Sequence, residues 1–314
     1  MKKAIRFFSL ALAILMLVPV FSPLRIRVSA TETTQISVMS YNIEIQKDNN
    51  DPGVRNTALT VLTPQFWGTD IVGLQEVDSE WDSDLTTYFG GYSRVQGDTT
   101  RHDWAELFYK STKFNELSSG YKSYSLLGNL YPNVPKNGAD PTRDTKNRHF
   151  TYALLKDKET GKKILAISTH LHLHHHAGEK GSLEANALLR DYEIRLMLAW
   201  IADQTGYDAV VVLGDMNTHY LTGRGKTTIN IFKNEGSFAV ARDSAQAKGD
   251  IDGTLVKDSA PGTRNLREQY IFDLILTKGS VETSYYTVFD NKFDNGGTSY
   301  PSDHVPVFAI LIIY

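Results

Sequence analysis

Apolar residues along this chain come in short blocks that stop at polar side chains capable of chemistry. The clearest block is Val210-Val211-Val212-Leu213, closed by Gly214 and followed by Asp215 and Asn217. A β-branched run of this length, bounded by glycine, predicts a strand buried on both faces. A spacing of two places Asp215 and Asn217 on one side of an extended chain. The plainer alternative is an Asx turn after a core strand. Residues 36–43 alternate apolar and polar and predict a first strand with Asn42 near its end. Residues 70–77 predict a second buried strand that ends at Glu76. Residues 92–98 and 104–110 follow as strands. Residues 150–156 and 163–169 form a pair across the hairpin signal Glu159-Thr160-Gly161-Lys162, with His170 at the exit. Residues 271–276 predict a buried strand with Asp273 inside it, and 308–313 an apolar closing strand after Ser302-Asp303-His304-Val305-Pro306.

Helical spacing appears at 53–63, 79–89, 227–234 and, longest, 184–204, which Gly206 closes. Residues 118–148 are rich in Gly, Pro, Asn, Asp and Lys and read as a long surface loop, basic at its end through Arg143, Lys146, Arg148 and His149. No repeat or linker divides residues 31–314, so one domain is expected.

The first 30 residues change the picture of the rest. Lys2, Lys3 and Arg6 precede an apolar run at 7–21, and Val28-Ser29-Ala30 fits a small-residue cleavage site. This is the pattern of a secretory signal peptide, so an exported, extracellular protein starting near Thr31 is expected. The leader holds five of the 33 basic residues and none of the 36 acidic ones. The remainder therefore has 28 against 36, a net charge of −8. That balance disfavours tight nonspecific binding to nucleic acid, although a local patch or a bound cation can supply the attraction. Cysteine is absent, which excludes disulfides, thiol nucleophiles and thiolate metal sites.

Asn42, Glu76, His170, Asp215, Asn217, Asp273 and the pair Asp303-His304 thus stand at or in otherwise apolar strands. Charge in such places needs a reason. The set fits metal-assisted hydrolysis of a phosphate ester. Tyr41-Asn42, Gln75-Glu76, Thr169-His170-Leu171, Gly214-Asp215-Met216-Asn217, Phe272-Asp273-Leu274-Ile275-Leu276 and Ser302-Asp303-His304-Val305-Pro306 resemble the ordered motifs of the endonuclease/exonuclease/phosphatase, or DNase I-like, superfamily. Two departures are Ser168, where the family often has Asn, and Ile271, where it often has Arg.

The resemblance implies an α/β fold, a four-layer α/β/β/α sandwich of two mainly antiparallel sheets flanked by helices. It implies Mg²⁺, or Mn²⁺, held chiefly by Glu76 with support from Asn42 and Asp303. Asn42, Asn217 and His170 would meet phosphate oxygens, with Tyr109 in a position that can touch phosphate. His304 would be the general base, oriented by Asp273, and Asp215 would orient the attacking water or His304. His170 would alternatively protonate the leaving oxygen, with Asp103 or Glu106 as its acid partner.

A nuclease is the first substrate reading. A sphingomyelinase-like or inositol-phosphate phosphoesterase is the alternative, the former needing an exposed apolar element such as Tyr285-Tyr286 to dock on a membrane. A binding protein on the same fold is the competing class, but Glu76, Asp273 and His304 are all present. The run His172–His176 reads as a solvated loop, with zinc on His170, His172 and His174 as the alternative. After leader removal no membrane segment remains, and a monomer is expected.

Overall fold

The computed structural model describes residues 32–44, 68–100, 104–143, 148–173, 183–221, 223–260, 263–267, 270–289 and 302–314. The expected leader and the helix at 53–63 lie outside them. In chain order the elements are β1 (Thr34–Asn42), β2 (Ile71–Val77), α1 (Ser79–Tyr88), β3 (Tyr92–Val95), β4 (Trp104–Lys110), β5 (Phe114–Ser123) and α2 (Tyr124–Leu130). Then come β6 (His149–Asp157), β7 (Lys163–His170), α3 (Leu183–Ala202), β8 (Ala209–Asp215), α4 (Gly223–Asn234), β9 (Ala239–Val240) and α5 (Ala241–Ser244). The chain ends with β10 (Ala247–Lys248), β11 (Leu255–Ala260), β12 (Thr263–Arg267), β13 (Asp273–Gly279), β14 (Val281–Val288) and β15 (Val307–Ile313).

Two sheets carry the fold. One has seven strands in the order β10-β14-β15-β1-β2-β4-β3, the other six in the order β5-β6-β7-β8-β13-β9. Most neighbours are antiparallel, but β1 with β2, β7 with β8 and β10 with β14 are parallel. Side-chain alternation explains the layers. Val211 and Leu213 of β8 face the other sheet and join Ile36, Val38, Leu107 and Val307 in an inter-sheet core. Val210 and Val212 point the opposite way, into a core with Leu189, Tyr192 and Trp200 of α3 and Ile229 and Phe232 of α4. Beyond the seven-stranded sheet, Met39, Val72, Leu74 and Phe108 pack on Trp81 and Leu85 of α1. The result is helix, sheet, sheet, helix, as the resemblance implied. All seven residues of β8 are buried, which accounts for its uninterrupted aliphatic run. A Cβ at Gly214 would collide with the Thr169 carbonyl, so glycine there lets β7 and β8 lie close at the functional end.

The expected long loop at 118–148 is corrected. It contains the end of β5, helix α2 and a 3₁₀ turn at Pro141–Arg143. β5 is an edge strand whose residues 115–118 are all exposed, so it shows no period-two pattern. Strands β9, β10, β11, β12 and β14 also escaped the apolar pattern. The 159–162 hairpin is present, with Lys156 opposite Lys163.

Candidate active site

Topology gathers the functional residues at one end of the two stacked sheets. β1 and β2 run in parallel and bring Asn42 and Glu76 to the same end. β7 and β8 do the same for His170 and Asp215, which are paired in register. β13 runs the other way and begins there, placing Asp273 opposite Asp215. Asp273 therefore opens its strand rather than lying inside it. The 302–306 segment enters at this end to start β15. Ser302 Oγ donates to Asn42 O at 2.7 Å, and His304 N donates to Ser302 Oγ at 3.0 Å.

Asp215 Oδ2 is the meeting point. Asn42 Nδ2 donates to it at 3.0 Å, His170 Nε2 lies at 3.3 Å and His304 Nε2 at 3.7 Å. Oδ1 of the same carboxylate accepts from Asn217 N at 2.7 Å, so the Asx turn and the chemical role coexist. Asn42 also donates to Glu76 Oε1 at 3.0 Å, while its own oxygen accepts from Glu44 N at 3.0 Å. That second bond fixes the amide orientation, and the nitrogen faces the carboxylates. Asn42 thus holds the acidic groups in place rather than offering its oxygen.

His304 Nδ1 sits 2.7 Å from Asp273 Oδ2. Asp273 is fully buried, and Thr254 Oγ1 accepts from its backbone N at 3.2 Å. Glu76 and Asn217 have φ of 57° and 48°, in the left-handed region that costs a non-glycine residue about 1–3 kcal/mol. The strain at Glu76 accompanies a β-bulge that turns its side chain to the cleft. Helix α3 holds the exit of β7: Arg190 Nη1 donates to His172 O at 3.2 Å and Leu173 O at 2.7 Å, and His172 N donates to Glu193 Oε2 at 2.8 Å.

The buried charges shift one another. Burial pulls the His304 pKa down, but Asp273, Asp215 and Asp303 outweigh it and raise the imidazole well above its ordinary value. Burial pushes Asp273 up to about 6 against the pull of His304. Burial also pushes Asp215 upward, yet His304, His170 and the Asn217 N–H hold it below the usual carboxylate range.

The donor set fits a hard divalent cation. Glu76, Asp215 and Asp303 line a cleft of about 640 Å³ together with Asn217, Leu173, His219, Arg224, Leu255, Tyr270, Phe272 and His304. The side chains of Glu76 and Asp303 keep 23% and 45% exposure, so ions can reach them. The lining cation Arg224 is engaged by Glu184 and Asp191. Glu76, His170 and Asp215, and again Asp215, Asp273 and His304, bring ligand atoms close enough to share an ion. Carboxylate oxygens suit Mg²⁺ or Mn²⁺.

Residues 39–304 match the model of the endonuclease/exonuclease/phosphatase family. The chain belongs to that family. Among solved structures, an endonuclease/exonuclease/phosphatase family protein from Bacteroides thetaiotaomicron is similar at 19% identity and a TM-score of 0.72, covering 90% of this chain and 99% of that one. The mannosyl-6-phosphatase of the same organism matches at 18% identity and a TM-score of 0.66 over 88% and 99%. TDP2 from D. rerio, complexed with single-strand DNA product, matches at 14% and 0.62 over 88% and 99%. No curated protein matches in sequence. The family fold is the DNase I-like sandwich described above, and its members act on phosphate esters.

This family member departs from several residue-level expectations. Tyr109 pairs with Ile71, at the far end of β2 from Glu76. It lies in the inter-sheet core and donates to Glu116 Oε2 at 2.6 Å, so it is too distant to touch phosphate. Tyr109 lies five steps along β4 from Trp104, roughly 17 Å. Glu106 is fully buried in a two-point ion pair with Arg94 at 2.6 and 2.7 Å and does not serve His170. Asp103 lies outside the described residues. His172 is buried rather than solvated, and 174–176 lie outside the described residues. Tyr286 is buried in β14, which removes it as a membrane anchor.

Two residues were missed as parts of the site. Glu44 has φ of 59°, and its Oε2 accepts from Asp303 N at 2.8 Å. Arg148, read only as part of a basic loop end, is buried with Nη1 2.7 Å from His170 Nδ1. A Glu two residues after Asn42 and an Arg near a strand start were the signals present.

Proposed function

We propose that this protein is an exported, Mg²⁺-dependent phosphodiesterase whose first substrate class is nucleic acid. The observation that carries the reading is the His304–Asp273 pair at 2.7 Å, facing the Glu76, Asp215 and Asp303 carboxylates across one cleft. Phosphate diesters resist attack because their oxygens repel nucleophiles. Bound Mg²⁺ or Mn²⁺, held by Glu76 and Asp303 with Asp215 behind them, would supply charge neutralisation and a more acidic water. With a bound cation offsetting the Asp215 and Asp303 charges that help hold a proton on His304, the neutral ring would then take the proton of the attacking water at Nε2. Asp273 fixes the ring tautomer and favours the imidazolium that forms. Asn217 and His170 face the space where phosphate oxygens sit. Asn42 Nδ2 bridges and orients Glu76 and Asp215. The basic leader, the apolar run and the small-residue site at 28–30 support export as a single domain of residues 31–314.

A hydrolysis panel on purified mature protein with Mg²⁺ tests the reading: plasmid DNA, RNA, sphingomyelin, an inositol polyphosphate and bis-p-nitrophenyl phosphate. DNA or RNA and the aryl diester should be cleaved and EDTA should stop it. Cleavage of sphingomyelin or the inositol phosphate alone would replace the nucleic-acid assignment. Equal activity with EDTA would overturn the metal assignment. N-terminal sequencing of exported material tests the leader, and a mature form retaining residues 7–21 would sink that part.

A further inference from the structure

The cleft is lined by two kinds of side chain. Glu76, Asp215, Asn217, Asp303 and His304 make its polar part, while His219, Tyr270 and Phe272 add rings, with Leu173 and Leu255 as apolar neighbours. The hydrolytic chemistry described above uses only the polar part. We propose that the wall formed by Phe272, Tyr270 and His219 is a subsite for one unpaired nucleobase carried by the scissile phosphate, with Tyr270 as the residue on which the base stacks. The scissile phosphate in this statement rests on the phosphodiesterase reading; the base-binding wall does not.

The rings form a chain that starts at His304. Ring centroids of His304 and Phe272 are 6.4 Å apart, those of Phe272 and Tyr270 6.4 Å, and those of Tyr270 and His219 5.1 Å. The backbone beneath them is held from two directions. Thr254 N donates to Tyr270 O at 2.8 Å, and Thr254 Oγ1 accepts from Phe272 N at 2.9 Å. Met216 N donates to Phe272 O at 2.9 Å, and Tyr220 N to Ile271 O at 3.0 Å. Ile271, between the two aromatic residues, turns into the core under the helices. Phe272 is buried, whereas Tyr270 and His219 are half-buried. Tyr270 thus stands on a fixed segment, two ring contacts away from His304, and keeps part of its surface open.

A nucleotide separates its phosphate from its base by one sugar. With the phosphate at the polar part of the cleft, the base lies along the ring chain, past Phe272 and against Tyr270. Every base has a π-face, so stacking on an aromatic side chain is strong and tolerant of sequence. Burial lowers the His219 pKa, so that ring adds no charge to the wall at neutral pH. The lining guanidinium, Arg224, is engaged by Glu184 and Asp191. Among the described lining residues the wall therefore offers flat apolar surface rather than free cations, which suits one base better than a run of phosphates. A paired base hides its faces in the duplex stack, so the occupant is an unpaired one.

The test measures binding without turnover. Dissociation constants are taken by calorimetry on the purified protein with Mg²⁺ for thymidine 5′-monophosphate, methyl phosphate and cyclohexylmethyl phosphate. The nucleotide should bind roughly tenfold or more tighter than methyl phosphate, as base stacking implies. Cyclohexylmethyl phosphate, with a saturated ring of similar size, should fall well short of it. Tyr270→Ala and Tyr270→Leu should erase most of the difference between nucleotide and methyl phosphate, and Tyr270→Phe should keep it. Equal affinity for nucleotide and methyl phosphate would overturn the proposal. So would cyclohexylmethyl phosphate binding as tightly as the nucleotide, the mark of a lipid-type apolar site, or a folded Tyr270→Ala protein that keeps the preference. If the Tyr270 variants fail to fold, the three wild-type constants still decide. Failure to hydrolyse any phosphate ester while the nucleotide preference holds would remove the catalytic reading and leave the base subsite standing.

Discussion

The two histidine corners of the cleft use the same imidazole for different ends. At the His304 corner a buried carboxylate, Asp273, stands behind the ring; at the His170 corner a buried guanidinium, Arg148, does. Both rings point their other nitrogen toward Asp215 Oδ2, at 3.7 and 3.3 Å. The groups behind the two rings carry opposite charge, a carboxylate behind His304 and a guanidinium behind His170. The lesson is that a histidine at a strand end does not reveal its role until the partner of its far nitrogen is known.

The largest expected effect removes what both corners serve. Chelation with EDTA should bring hydrolysis to background, and Mg²⁺ should restore it. Glu76→Gln should lose metal dependence and activity together, measured as rate against Mg²⁺ concentration. A Glu76→Gln protein with an unchanged Mg²⁺ curve would show that the ion is held elsewhere.

Next comes the asymmetry between the corners. His304→Ala should lower kcat roughly 10²–10⁴-fold, the range for a positioned acid or base. Asp273→Asn should act in the same direction and less strongly. Glutamine can replace a neutral N–H donor but not a base. His304→Gln should therefore match His304→Ala, whereas His170→Gln should stay within about tenfold of wild type, as loss of one hydrogen bond's geometry implies. Equal losses in the two glutamine variants would break the comparison. A His304→Ala enzyme within about threefold of wild type would end the assigned role.

The pH dependence sharpens the His304 corner. Burial lowers the His304 pKa, but Asp273, Asp215 and Asp303 raise it well above the imidazole value in the folded, metal-free protein. A raised folded pKa means that the folded state holds the proton more tightly. Its contribution to stability is complete below the unfolded value of about 6.5 and is lost as pH rises through the folded pKa. Asp215, held below the usual range, acts oppositely: its contribution is present above the unfolded carboxylate value and is lost as pH falls through the folded one. Urea unfolding midpoints in EDTA, taken from neutral to alkaline pH, should fall more steeply for wild type than for His304→Ala. Parallel curves would contradict the charged pair.

The smallest effect concerns Glu44, whose Oε2 accepts from Asp303 N at 2.8 Å. Glu44→Gln keeps an acceptor oxygen and loses the charge. It should cost roughly fivefold or less in kcat/KM, about 1 kcal/mol. A loss as large as that of His304→Ala would make Glu44 a direct participant.

The site was partly legible because buried strands tolerate no casual polar residue. Asp215 after a run of four aliphatics and Asp273 beside Leu274-Ile275-Leu276 stood out for that reason. Glu76, His170 and His304 joined them through motif spacing. Edge strand β5 was read as loop because its exposed side chains carry no apolar rhythm, and α2 buries only Tyr124 and Leu127. Tyr109 was misplaced because it was carried over from a family position, and a motif position does not show which end of the sheet the residue reaches.

By itself, the sequence determined the strands with buried faces, their polar terminators and the family motifs. These depend on local periodicity and on the cost of burying charge. The tertiary structure decided the partners: Asp273 behind His304, Arg148 behind His170, Glu44 beneath Asp303 and Glu106 against Arg94. Such pairings join residues as far apart as 259 positions along the chain. They arise from strand register and sheet stacking, in which a shift of one residue turns a side chain to the opposite face.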